Sequence, residues 1–168
     1  MHLVSDKDPI LHTPCQPFDF KKHNAEQIVK EMSEIMFTNN GIGLAGPQVG
    51  FPYNIFVMRW TDESAVGIIN PMVTNVSDEK EYFLEGCLSY HGLYLNINRP
   101  KTCEVNFTTV EEKVISAKLD GIHARCFLHE YDHLQGVNFV DHVSTLKLNI
   151  AKRKQRKLSK KQNAYNKR

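Results

Sequence analysis

The sequence predicts an α+β fold, with antiparallel β-sheets around a central helix that carries His129-Glu-Tyr-Asp-His133 and with a basic helix at the C-terminal end. Three observations predict it. β-rich segments cluster in the middle of the chain, helical periodicity flanks them on both sides, and two of the strands read as a hairpin. The chain has 168 residues and 41% hydrophobic content, enough for one domain with a buried core.

The elements follow in order. Residues 9–20 are proline-rich and aperiodic, which predicts an extended arm. Residues 24–38 predict a helix: Ile28, Met32, Ile35 and Met36 share one face at helical spacing, and Asn24 can cap the start. Gly41-Ile-Gly-Leu-Ala-Gly-Pro-Gln48 predicts a loop or irregular strand. Tyr53–Trp60, Val66–Asn70, Met72–Val76 and Glu81–Leu84 predict short strands separated by turn residues, the last leading into a turn at Glu85-Gly-Cys-Leu-Ser89. Thr102–Thr108 and Val114–Leu119 alternate, and the segment TVEEK joins them as a hairpin. Asp120 is a candidate N-cap for a helix from Gly121 to Gln135, closed by Gly136. A last helix begins near Ser144 and runs into the basic end.

Charge divides the chain. Residues 1–146 carry 11 Lys+Arg against 19 Asp+Glu, a net of −8, while residues 147–168 carry 10 Lys+Arg and no acid. The expected organisation is therefore a folded unit over 1–146 and a basic helix or tail over 147–168. Such a block suits a polyanionic partner. No apolar run reaches the roughly 20 residues of a membrane span, and the N-terminus has no apolar signal-like region, so the expected compartment is the cytoplasm. Cys15, Cys87, Cys103 and Cys126 form no CxxC pair, and disulfides are not expected there.

The strongest local signal is His129-Glu-Tyr-Asp-His133. Histidines at i and i+4 lie on one helix face and can reach one ion. Glu130 can enter the same cleft as a proton carrier without binding the metal. Catalytic sites of this kind usually have three protein ligands and an open position. Phe139 stands where a downstream third histidine would be, and His142 is too far along, so the third ligand is expected upstream. Cys87 is the leading candidate because a thiolate binds divalent iron or zinc strongly; His91 and His123 are alternatives.

Taken together, GIGLAGPQ at 41–48, EGCLS at 85–89 and HEYDH at 129–133 resemble, in order and separation, the three motifs of the peptide deformylases. The resemblance covers nearly the whole chain. It implies that Cys87, His129 and His133 bind one divalent metal, Fe2+ natively, with Zn2+, Ni2+ or Co2+ able to occupy the purified protein. It implies that Glu130 is the general base and acid, and that Gln48 and the backbone N–H of Leu88 form an oxyanion hole. Gly43 would approach the substrate through its backbone, and Ile42, Leu88 and Cys126 would line the side-chain pocket. The substrate would be the N-formyl-methionyl end of a nascent polypeptide, and the products formate and a free amine. A metal lowers the pKa of its bound water, so hydroxide is available to attack the formyl carbon. Fixed amide donors then stabilise the growing charge on the formyl oxygen.

The sequence also departs from the family's pattern. Gly46 stands where alanine is common, Leu128 where glutamine is common, and Tyr94 where many relatives have an arginine that holds the peptide. Arg125 stands where relatives are apolar near the methionine pocket, which places it either in solvent or at the pocket rim. Arg99 and Asp132 are candidates to steady the ligand helix. The basic end resembles a ribosome-docking helix, which would use Lys152, Arg153, Lys154, Arg156 and Lys157. A bacterium, an organelle or a virus infecting bacteria would suit such a chain, and a monomer is expected. Two rival readings are an HExxH metallopeptidase and an inactive RNA- or ribosome-binding relative.

Overall fold

The computed structural model describes residues 1–165, with side chains through Lys160. Its elements are α1 (Ala25–Thr38), β1 (Gly43–Ala45), β2 (Ile55–Arg59), β3 (Ala65–Val76), β4 (Lys80–Gly86), β5 (Tyr94–Pro100), β6 (Thr102–Thr108), β7 (Val114–Asp120), α2 (Gly121–Leu134) and α3 (Thr145–Tyr165). The fold is α+β, as the sequence predicts. Five strands form an antiparallel sheet in the order β1-β2-β3-β6-β7, and β4 and β5 form a separate antiparallel pair.

The larger sheet is covered on both faces. Alternate residues of β2 point to opposite sides. Ile55 and Val57 meet Met32 and Met36 of α1, while Phe56 and Met58 meet Ala124 and Phe127 of α2. Phe56 and Phe127 meet edge to face at 5.1 Å. This is why β2 reads as one unbroken apolar run, as strands buried on both faces do. Each such buried side chain contributes about 1.5–3 kcal/mol over its exposed state. A third cluster joins Leu95 and Ile97 of β5 to Phe139 and Val140, and Leu148 and Ala151 of α3 lie against it.

Helix ends follow the local chemistry. The Asn24 side chain accepts from the Gln27 N–H at 3.0 Å and so caps α1. At the end of α2, Gly136 takes φ +71°, its N–H bonds the His133 carbonyl, and the Val137 N–H bonds the Asp132 carbonyl. That pair of bonds is a Schellman closure, which favours glycine because of the left-handed backbone.

Several expected boundaries shift. The arm contains a 3₁₀ turn at Pro9–His12, capped by Asp8. The glycine-rich segment divides into β1 and a 3₁₀ turn at Gly46–Val49. The two strands expected on either side of Pro71 are one strand, β3, whose register slips between Ile69 and Met72 and between Val73 and Asn75. β4 extends through Glu85 and Gly86, so the turn starts only at Cys87. Asp120 stands at the head of α2 but makes no side-chain cap bond. β5 was not expected at all. Its Leu95, Ile97 and Arg99 alternate inward, but Asn96 and Asn98 on the outer face disfavour strands and hid the pattern.

Candidate metal centre

Three elements converge between the sheets. His129 and His133 sit one turn apart on the buried face of α2, with ring centroids 5.2 Å apart. Cys87 begins the turn after β4, which is closed by the Tyr90 N–H on the Cys87 carbonyl at 2.9 Å. The Cys87 sulfur lies 3.3 Å from His133 Nε2. One ligand atom from each of Cys87, His129 and His133 falls within 4.8 Å of the others. Of the three candidates for the third ligand, only Cys87 is there. His91 lines the cavity beyond, and His123 stacks on Trp60 with ring centroids 4.7 Å apart.

The donor set fits a divalent ion. A soft thiolate and two imidazoles suit iron or zinc. Burial pulls His129 down, but hydrogen bonds to Cys87 and Glu85 and the charge of Glu130 outweigh it and raise its pKa to about 10. Burial and the neighbouring His129 instead hold His133 at about 3.

Glu85 was missed as a functional residue by the sequence reading, which used it only as the head of a turn. Its Oε2 lies 2.9 Å from His129 Nδ1, which turns Nε2 toward the ligand cluster. Its Oε1 accepts from Arg99 Nε at 2.8 Å and from Arg125 Nη1 at 2.7 Å. Arg99 continues to Asp132 Oδ2 at 2.7 Å, and His142 donates to the same oxygen at 2.7 Å. Arg99 and Asp132 thus steady the ligand helix from beneath, and Arg99 is buried. Burial alone would raise Glu85, but the bonds from His129 and Arg99 and the Arg99 charge hold it down at about 2. The available signal was strand alternation, which, carried one residue past the end of β4, puts residue 87 on the same side as residue 85.

Arg125 needs correcting too. It does not point out to solvent: it is 5% exposed, bonded to Glu85, the Ile97 carbonyl and the Glu81 carbonyl, and forms part of the cavity wall.

A cavity of about 530 Å³ opens beside the cluster, between β1 and β4. Ile42, Gly43, Leu88 and Cys126 line it with Gln48 and Glu130. Gln48 Oε1 accepts from the Ala45 N–H at 2.8 Å, so its amide nitrogen faces Cys87 at 3.2 Å. Among the described residues, no acceptor meets the Leu88 N–H. The Ile42 carbonyl accepts from the Arg59 N–H, so the antiparallel ladder turns Gly43's own N–H and C=O toward the cavity. Tyr94 lies exposed over Gly86.

Glu130 is 4% exposed, and its Oε2 has no partner among the described residues. Burial is the main cause that raises its pKa, to about 7; His129 and Arg99 lower it. A carboxyl poised there can hold and release a proton near neutral pH. A β-carbon at Gly43 would collide with Glu130 Oε1 and with the Cys126 sulfur. Gly43→Ala is therefore expected to displace Glu130, lowering kcat about 100-fold and stability by about 1–3 kcal/mol. Steady-state kinetics beside thermal denaturation would check this; unchanged kcat would mean that Glu130 has room to move.

The fold and site define a metal-binding amide hydrolase of the HExxH kind. The Polypeptide deformylase family model matches residues 1–149. The chain belongs to the peptide deformylase family. It is 35% identical to a peptide deformylase of Bartonella quintana over 96% of this chain and 94% of that one. Among solved structures it resembles a peptide deformylase of Synechococcus elongatus in complex with actinonin, with TM-score 0.84 and 35% identity over 92% of this chain and 85% of that one. It also resembles a probable peptide deformylase from Synechococcus phage S-SSM7, with TM-score 0.82 and 36% identity over 84% of this chain and 99% of that one. The reaction is removal of the formyl group from N-formyl-methionyl peptides, in a family of metalloenzymes.

Proposed function

We propose that Cys87, His129 and His133 hold one Fe2+ ion, that Glu130 moves the proton, and that Gln48 and the Leu88 N–H receive the developing charge. The observation that carries this reading is the buried, unpartnered Glu130 oxygen beside the ligand cluster. When bound, the metal supplies a Lewis acid that polarises the formyl carbonyl and makes water acidic enough to react near neutral pH.

The remaining work falls to the chain. Gly43's free N–H and C=O pair with the extended peptide as an added strand. Ile42, Leu88 and Cys126 enclose its first side chain. Glu130 accepts a proton as water adds to the formyl carbon and delivers it to the leaving nitrogen as the C–N bond breaks. Formate and a free amino terminus result. The Gln48 amide and the Leu88 N–H donate to the formyl oxygen as its charge grows; losing one such donor typically costs about 100- to 1,000-fold.

The test is formate release from formyl-Met-Ala-Ser by apo-protein reloaded anaerobically with Fe2+, Zn2+, Ni2+ or Co2+. Fe2+ is expected to give rapid release that decays in air as the thiolate oxidises. No release with any of the metals would overturn the assignment.

Residues 1–146 form the catalytic unit in this proposal and residues 147–168 a basic appendage that contacts ribosomal RNA. Arg153, Lys154, Arg156 and Lys157 are exposed on α3 and Lys152 is half-buried, which supports this. Leu148 and Ala151 dock the first turns onto the body, and Gln155 donates to the His91 carbonyl. Log affinity for ribosomes should fall linearly with log salt, by about 0.7–0.9 per neutralised phosphate. Changing all five residues to glutamine should reduce that slope by about 4 and leave turnover of a tripeptide intact. An unchanged slope, measured by sedimentation with ribosomes, would remove the appendage's role.

No helix among the described residues is long and apolar enough to cross a membrane. A monomer in the cytoplasm of a bacterium or of a virus-infected bacterium, or in an organelle, completes the proposal.

A further inference from the structure

The inner wall of the cavity carries a guanidinium. Ile122, Arg125, Cys126, His129 and Glu130 form one stripe of α2 along the cavity. Arg125 lies four residues before His129, about 6 Å along the helix axis. That is about the reach of an extended methionine side chain whose formyl group lies at the metal cluster. Arg125 lines the same cavity as Ile42, Leu88 and Cys126, the residues that enclose the first side chain in the proposed function.

The three Arg125 bonds leave two of its five N–H donors free, the second on Nη2 and the one on Nε. Nη1 is taken by Glu85 and the Ile97 carbonyl, and Nη2 donates to the Glu81 carbonyl at 2.9 Å. Nε meets no acceptor among the described residues, and it is not among the polar atoms sealed from solvent. Arg125 is 5% exposed and lines the cavity, so that opening faces the cavity. The Arg125 guanidinium also lies 5.5 Å from the centre of the Phe83 ring, within cation–π range.

We propose that Arg125 is a specificity-determining residue whose free Nε–H makes the pocket accept a hydrogen-bond acceptor at the end of the first side chain, so that chains beginning with N-formyl-methionine sulfoxide are substrates. The proposal rests on the deformylase reading. A thioether is a weak acceptor, a sulfoxide oxygen a strong one, and the methylene of norleucine none. A wholly apolar pocket would rank the three substrates the other way, because the sulfoxide would lose its water without replacement.

The test compares kcat/KM for formyl-Met-Ala-Ser and for its norleucine and methionine-sulfoxide counterparts. The wild type should turn over the sulfoxide peptide at least as well as the norleucine peptide. In Arg125→Leu the sulfoxide-to-norleucine ratio should fall about tenfold or more. The ratio is unaffected by any common loss from a loosened Glu85. Arg125→Lys, which keeps the charge but loses Nε, should lower the ratio as well. Calorimetric affinities of the deformylated product peptides for the zinc-loaded protein should follow the same order without turnover. A wild type that prefers norleucine, or a ratio that Arg125→Leu leaves in place, overturns the proposal while the deformylase reading stands. Failure of the formyl-Met peptide itself overturns both.

Discussion

Replacing Glu130 with alanine is expected to reduce formate release from formyl-Met-Ala-Ser by about 100- to 10,000-fold, the range for loss of a placed general acid and base. Its metal content should stay at that of the wild type, because the proposed ligand atoms belong to Cys87, His129 and His133. The size of the effect follows from the surroundings. Glu130 is buried, its pKa is held at about 7, and one of its oxygens has no partner among the described residues. Glu85, the other buried carboxylate at the centre, is bound by His129, Arg99 and Arg125 and cannot take over the proton. Metal analysis beside initial rates checks the prediction. Loss of metal together with activity would mean that Glu130 works in binding rather than proton transfer.

Replacing Glu85 with glutamine should damage both stability and metal retention. The carboxylate lies between two buried arginines and a metal-site histidine. Removing its charge leaves Arg99 with Asp132 as its one charged partner among the described residues and leaves Arg125 with neutral acceptors. Breaking a buried pair in this way typically costs about 3–5 kcal/mol. Freeing the orientation of His129 should also weaken metal affinity about 10- to 100-fold. The same residue sets an acid limit. Its pKa falls from 4.5 when unfolded to about 2 when folded. A depressed carboxylate stabilises the fold above the unfolded value, and the contribution, about 3 kcal/mol, is lost as pH falls from about 4.5 toward 2. Urea denaturation of both proteins at pH 7 and at steps between pH 5 and 3 should show the gap between them narrowing. A gap that stays constant would locate the effect in packing rather than charge.

Much of this was legible because the chemistry lies in short segments. HEYDH needs only a helix to bring His129 and His133 together, and the end signals at Asp120 and Gly136 predict that helix. Cys87 could be named but not placed by spacing, since its position depends on β4 meeting α2 across the fold. Glu85 and Arg125 were hidden for a related reason. A buried charge reads in sequence as a surface charge unless its partners are known, and these partners lie 14 to 44 residues away. β5 was hidden by the asparagines on its outer face, and with it the inward course of Arg99. The division of the glycine-rich segment into β1 and a 3₁₀ turn depends on Gln48 reaching back to Ala45, which no periodicity reveals.

The cavity lies between the edge of one sheet and the edge of another, with Gly43 on β1 facing Leu84 to Gly86 of β4. Unpaired strand edges elsewhere invite other chains to join them. Here they border a slit that, in the proposed binding mode, accepts one extended backbone and gives no room to a terminus already wound into a helix or paired in its own sheet. If peptides bind there as proposed, the slit keeps time: the window for processing would close when a new protein's first residues fold, and rapidly folding chains would keep their formyl group unless met early.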